Sequence, residues 1–71
     1  MADTQELVEL LRILGDPTRL RLLLTLGRGE LTVNEITCVT GLSQPRVSRH
    51  LKLLCDVHVL QRTRDQNEVY Y

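Results

Sequence analysis

Thr32-Val33-Asn34-Glu35-Ile36-Thr37-Cys38-Val39-Thr40-Gly41-Leu42-Ser43-Gln44-Pro45-Arg46-Val47-Ser48-Arg49-His50-Leu51-Lys52-Leu53-Leu54 is the stretch on which the fold turns. Thr32 and Glu35 have capping-box spacing, in which a hydroxyl and a carboxylate each accept the other's backbone N–H. A short helix from Val33 to about Thr40 follows, with Val33, Ile36 and Val39 on one inner face. Gly41 suits a left-handed turn. Leu42 anchors that turn and Ser43 caps a second helix. Pro45 lies in the first turn of that helix, where a missing N–H costs little. Val47, Leu51 and Leu54 recur at i, i+4 and i+7 and face the core. Gln44, Arg46, Ser48, Arg49 and Lys52 fall elsewhere on the helix. Between Ser43 and Lys52 the chain carries Arg46, Arg49 and Lys52 and no acid.

Upstream, two more helices are expected. The first runs from about Gln5 to Leu14, with Asp3 or Thr4 as cap and Asp3 and Glu6 at capping-box spacing. Its apolar residues Leu7, Val8, Leu10, Leu11, Ile13 and Leu14 form a stripe wider than one core face needs. A domain this small cannot cover both faces. Leu7, Val8 and Leu11 are therefore assigned to a partner subunit, the alternative being a single well-buried helix. Gly15 ends that helix, and Asp16-Pro17 reads as a cap followed by proline at the first helical position. The second helix runs to about Leu26, with Leu20, Leu23 and Leu24 as its core stripe and Arg19 and Arg21 off it; Gly27 and Gly29 end it. Leu31 sits in a strand of one or two residues. Downstream, the period changes to two: Val59–Arg64 and Glu68–Tyr71 read as strands, with Asp65-Gln66-Asn67 as the turn. The chain is thus mainly α with a small β-hairpin.

Size and composition narrow the function. The 71 residues make one domain, and a domain this small usually needs a disulfide framework, a metal or a partner subunit. Two cysteines do not make a disulfide framework, so dimerisation is the expected staple. No apolar run approaches a membrane span, and Met1–Leu7 lacks the basic and apolar regions of a signal peptide. A cytoplasmic location is expected. Net charge is zero, but residues 1–35 carry −2 and residues 36–71 carry +2. Phosphate binding needs a local basic face, not a basic protein.

Two helices joined by a tight glycine turn make a helix-turn-helix, whose second helix enters the major groove of duplex DNA with its N-terminal residues against base edges. Here those residues are Ser43, Gln44, Pro45, Arg46, Ser48 and Arg49. Gln pairs bidentately with adenine, Arg with guanine, and Ser bonds bases or phosphates. The free N–H groups of the first turn can also hold a phosphate. His50 and Lys52 lie further along, towards the DNA backbone. The hairpin after this helix is the wing, with Arg62 and Arg64 available for flanking phosphates.

The same residues carry a family resemblance. Asp16-Pro17-Thr18-Arg19-Leu20-Arg21-Leu22-Leu23 looks like the helix-two signature of the ArsR/SmtB family. Gly29-Glu30-Leu31-Thr32-Val33-Asn34-Glu35-Ile36 resembles the segment leading into that family's third helix. Gly41–Leu54 resembles its recognition helix almost residue for residue, and Val69-Tyr70-Tyr71 its second wing strand. The resemblance implies a homodimeric winged helix-turn-helix repressor, released from its operator by a signal. Residues 29–33 and 43–54 are also similar to ArsR-type domains joined to S-adenosylmethionine-dependent methyltransferases. On that alternative the chain is the N-terminal DNA-binding or interaction module of a longer protein.

Four departures from the family pattern matter. Arsenic and cadmium sensors carry Cys-Val-Cys where this chain has Thr32-Val33-Asn34, and Thr and Asn are poor soft-metal ligands. The family usually continues into a fifth, dimerising helix; the sequence given ends at Tyr71, before it. A glycine is common after the recognition helix, where this chain has Val57-His58-Val59, although some metal-sensing members have His there. The usual wing tip contains Gly and Arg, and Asp65-Gln66-Asn67 has neither, which argues against a wing contact in the minor groove.

Rival readings are weaker. Cys55 and His58 form a Cys-x-x-His pair, but two ligands do not close a zinc site. Cys55 reads as a small, partly buried side chain, His58 as a turn residue and Cys38 as a packing residue beside Val39. A redox pair of Cys38 and Cys55 would need close Cα atoms. No metal and no cofactor is expected. No enzyme is expected either: there is no glycine-rich phosphate loop, and Ser48 and His50, two apart on one helix, do not face each other. The remaining rival is an interaction module that has lost DNA binding.

Overall fold

The computed structural model describes residues 3–71. Four helices are followed by a hairpin: α1 Thr4–Leu14, α2 Pro17–Leu26, α3 Val33–Thr40, α4 Gln44–Asp56, β1 Thr63–Asp65 and β2 Glu68–Tyr70. This is the expected winged helix-turn-helix order.

Each helix starts where a side-chain oxygen takes up the orphan amides of its first turn. Asp3 accepts from the Glu6 amide at 2.7 Å, so α1 begins one residue earlier than its periodicity suggests. Asp16 accepts from the Thr18 and Arg19 amides at 2.8 and 3.3 Å, with Pro17 in the first turn of α2. Thr32 and Glu35 close the full capping box of α3. Ser43 caps α4, accepting from the Arg46 amide. Gly41, at φ 74°, makes the left-handed turn between α3 and α4.

The core is small. Ile13, Leu22, Ile36, Val47, Leu51 and Leu54 are fully buried. Leu26, Leu31, Val33, Leu42, Leu60 and Tyr71 pack around the cluster of Leu22, Ile36, Val47 and Leu51. The α4 stripe is as expected, but two other helices differ from expectation. On α2 the buried residue is Leu22, with Leu23 and Leu26 half-buried, whereas Leu20 and Leu24 lie on the outside. Leucine recurs so densely from Leu20 to Leu26 that several faces look apolar, and packing against α3 and α4 selects the one that is buried. On α3, Ile36 is buried and Val33 half-buried, but Val39 is 65% exposed and the neighbouring Cys38 is exposed, so neither is a packing residue.

The hairpin is shorter than its alternating pattern. Val59–Arg62 stay outside the ladder, and pairing covers only Thr63↔Tyr70, Arg64↔Val69 and Asp65↔Glu68. Asp65 is therefore a strand residue, and the turn is the two residues Gln66-Asn67. The missing part of the strand goes to the exit from α4. The His58 amide donates to the Cys55 carbonyl and the Val59 amide to the Leu54 carbonyl, both at 3.0 Å, with His58 at φ 63°. That pattern is a Schellman close, in which a left-handed residue satisfies the last carbonyls of the helix. Leu31 exchanges two backbone hydrogen bonds with Tyr71, at 3.3 and 2.9 Å, and Thr32 bridges to Tyr70. The expected short strand at Leu31 thus ties the base of the hairpin to the start of α3.

Candidate nucleic-acid interface

Helix α4 is held from below and open above. Val47, Leu51 and Leu54 anchor it in the core, while Ser43, Gln44, Pro45, Arg46, Ser48, Arg49 and Lys52 are all exposed. The sequence-derived candidates on this helix therefore share one solvent-facing surface, continuous from the N-terminal cap to the third turn. Arg46 and Arg49 make no ion pair among the described residues. Lys52 pairs with Asp56 at 3.0 Å, an exposed i, i+4 pair of the kind worth only a few tenths of a kcal/mol. Such a lysine can exchange its carboxylate for a phosphate at little cost.

The helix start adds polarity of its own. Unpaired amides and the helix dipole make an N-terminus attractive to anions, and here Arg46 and Arg49 stand within the first two turns. Pro45 removes one amide from that set without breaking the helix.

Arg64 lies on β1 and Arg62 just before it, and both are exposed. Arg64 stands opposite Val69 in β2. The tip beyond it is acidic, with Asp65 directly opposite Glu68. Facing like charges weaken a strand pair, and carboxylates at the tip oppose approach to phosphate. A groove between α4 and the segments flanking the hairpin is lined by Ser48, Lys52, Cys55, Asp56, Arg62 and Tyr71 together with Leu60 and Gln61. Cys55 is half-buried there. Burial pushes its thiol pKa up, Arg62 pulling the other way and Asp56 adding to the rise. That thiol is a poor nucleophile at neutral pH, since reactivity follows the thiolate. Cys38 and Cys55 are both free. Among the described residues, no three His, Cys, Asp or Glu side chains gather as metal ligands.

On α1, Ile13 is buried and Leu10 and Leu14 are half-buried, whereas Leu7, Val8 and Leu11 are 51%, 57% and 61% exposed. The helix therefore has two apolar faces, and the three residues assigned to a partner subunit lie together on the open one.

One site residue escapes sequence reasoning. His50 faces inward from α4 and is half-buried, and its Nδ1 accepts a hydrogen bond from Arg19 Nε–H at 3.2 Å. Arg19 also donates from Nη1 to the Ile13 carbonyl at 3.1 Å. Arg19, expected only to lie off the core stripe, is therefore a bridge between helices, and His50 does not point along the DNA-facing surface. The two residues are 31 positions apart, and no local pattern pairs them.

Residues 16–57, from the α2 cap to the end of α4, match the family described as "Bacterial regulatory protein, arsR family". The chain is 47% identical over 60 residues to a probable mercury resistance operon repressor of Streptomyces lividans, covering 84% of this chain and 48% of the relative. It is 33% identical over 66 residues to a biofilm growth-associated repressor of Xylella fastidiosa, covering 93% of this chain and 58% of the relative. The chain thus spans about half the length of the curated relatives it matches. Among solved structures, the transcriptional repressor BigR from Xylella fastidiosa aligns with a TM-score of 0.81 at 33% identity, covering 94% of this chain and 68% of that one. HlyU from Vibrio cholerae aligns at 0.84 with 29% identity, covering 96% and 72%. The signature of α2, the capped α3, the glycine turn and the recognition helix all fall inside the matched segment, and the chain belongs to the ArsR family of bacterial regulatory proteins.

Proposed function

We propose that this chain is the DNA-reading domain of a transcriptional repressor and acts on duplex DNA as a homodimer in the cytoplasm. The observation that carries the reading is the exposed stretch of α4 from Ser43 to Lys52, free of acids and standing on a fully buried Val47-Leu51-Leu54 stripe. Gln44, Arg46 and Arg49 supply the bidentate groups that discriminate base pairs in the major groove, while Ser43, Ser48 and Lys52 reach the flanking phosphates. Pro45 shapes the helix start. Arg62 and Arg64 add phosphate contacts from the base of the wing, and the acidic tip stays out of the groove. Leu7, Val8 and Leu11 form the intersubunit contact, which sets the spacing of the two α4 helices. The named relatives are repressors, and among the described residues no helix is long and apolar enough to cross a membrane.

The test is a fluorescence-anisotropy titration against a family-type inverted-repeat duplex and a scrambled one at several salt concentrations. The reading requires tighter binding to the repeat, weakening steeply as salt releases the phosphate contacts. Equal, weak binding to both would mean either that a further C-terminal part is needed for dimerisation or that the interaction-module reading is right.

A second reading keeps the same site in a longer protein. The likeness of residues 29–33 and 43–54 to regulators joined to methyltransferases favours it, and the mass of the protein from its native source distinguishes the two.

A further inference from the structure

We propose that Arg19 and His50 form a latch that sets the angle of α4 against the α1–α2 junction, so that DNA affinity falls when His50 takes a proton. The proposal rests on the DNA-reading function above and adds to it a positioning residue and a pH response.

The geometry is a chain of three elements. Ile13, the buried residue of α1, offers its carbonyl to Arg19 Nη1. Arg19 in the first turn of α2 then spends its Nε–H on His50 Nδ1 in the middle turn of α4. No other side-chain-to-side-chain hydrogen bond among the described residues joins two helices; the rest are local pairs three or four residues apart. His50 stands between Arg49, which faces out, and Leu51, which is buried, so a shift at His50 reorients the base-reading residues.

A guanidinium has no acceptor and no lone pair to give. The bond therefore requires Nδ1 of His50 to be unprotonated. Imidazolium has two donors, and a donor facing a donor, with like charges behind both, breaks the contact. The charged groups that bear on His50 are Arg19 from α2, Asp16 from the α2 cap, and Arg46 and Arg49 from α4 itself. Three are cations and one is an anion. Burial is the first influence holding the imidazole below its ordinary value of 6.5; Arg19, Arg46 and Arg49 add to it and Asp16 opposes. Asp16 accepts the Thr18 and Arg19 amides through Oδ1, and its single negative charge stands against three cations.

The sign follows. Neutral His50 is the native form, so the latch is complete above about pH 6.5 and is lost as pH falls below it. A histidine that simply touches DNA phosphate predicts the reverse, because phosphate favours the imidazolium.

Two measurements decide it on the whole chain. The first is an NMR pH titration without DNA, following the His50 ring and the amides of residues 44–49. Those amides should shift with the His50 titration and stop doing so in His50→Gln, whose amide oxygen accepts at every pH. The second is anisotropy with an inverted-repeat duplex at pH 7.5 and 5.5. Wild type should lose affinity severalfold between pH 7.5 and 5.5, while His50→Gln should change far less. Arg19→Met should be weak at both pH values with its helical circular dichroism intact. Amides 44–49 indifferent to His50 titration, or affinity that rises on acidification, overturns the latch. Absence of binding at either pH in all variants counts against the DNA reading alone, since the NMR titration still judges the latch.

Discussion

The recognition helix and the wing both present arginines to solvent, yet they are built to opposite standards. Helix α4 has 13 residues, a serine cap, a Schellman close and three fully buried side chains beneath its polar face. The hairpin has three residues per strand, an entirely exposed first strand and a turn whose first residue, Gln66, is held at φ 56°. Arg64 shares the hairpin with Asp65 and Glu68, while α4 carries Arg46, Arg49 and Lys52 with no acid between Ser43 and Lys52, its one carboxylate, Asp56, standing in the last turn. Specific contacts need groups held within a fraction of an ångström by a rigid support. The comparison teaches that charge alone does not locate the reading surface; what lies beneath the charge does.

The sharpest way to break that contrast is to remove the support. Leu51→Ala leaves a cavity under α4 and should cost about 2–5 kcal/mol, a large part of the stability of a domain this size; urea unfolding followed by circular dichroism measures it. Val69→Ala, in the second strand of the wing, should cost clearly less, and an equal loss would mean the two regions are supported alike. Next comes DNA affinity. Arg49→Ala should lose about 1–3 kcal/mol of binding to an inverted-repeat duplex and relax its preference over a scrambled one. Arg64→Ala should weaken both duplexes equally and only slightly, mainly by flattening the salt slope. Reversal of that order would move the reading surface to the wing.

Smaller effects probe how each region ends. His58→Val places a β-branched side chain at φ 63° and should cost about 1–2 kcal/mol by steric strain, seen as a lower urea midpoint with the slope unchanged. His58→Asn should be nearly neutral, since Asn tolerates that conformation. Smallest of all, Asp65→Lys turns a repelling cross-strand pair with Glu68 into an attracting one, worth about 0.2–1 kcal/mol. It should also raise DNA affinity modestly by removing the negative tip, and affinity that falls would show that the acidic tip contributes to binding.

Much of this was legible in the sequence wherever the determining chemistry is local. Asp3, Asp16, Thr32 and Ser43 announce helix starts because a cap bonds amides two or three residues away. The stripe of Val47, Leu51 and Leu54 is unambiguous because the other face of α4 is polar. On α2 the same logic fails, since Leu20, Leu22, Leu23, Leu24 and Leu26 spread over most of the circumference and leave only a narrow polar strip at Thr18, Arg21 and Thr25; only the position of its neighbours sends Leu22 inward and leaves Leu24 76% exposed. The alternating run from Val59 overstates β1 because its first residues are drawn into closing α4. The link from Arg19 to His50 has no sequence signal, being created when two helix surfaces meet.

The paired Leu31 and Tyr71 carry a consequence for how the chain acquires its shape. Residues 40 positions apart must meet before the hairpin has a base, whereas α3 and α4 are joined by a turn of three residues. Closing the longer loop costs more chain entropy before any contact repays it. The helix-turn-helix therefore forms early from neighbours in the chain, and the hairpin docks on a scaffold that already exists. In the native protein the last strand should correspondingly open first, its amides exchanging with solvent while the helices beneath remain closed.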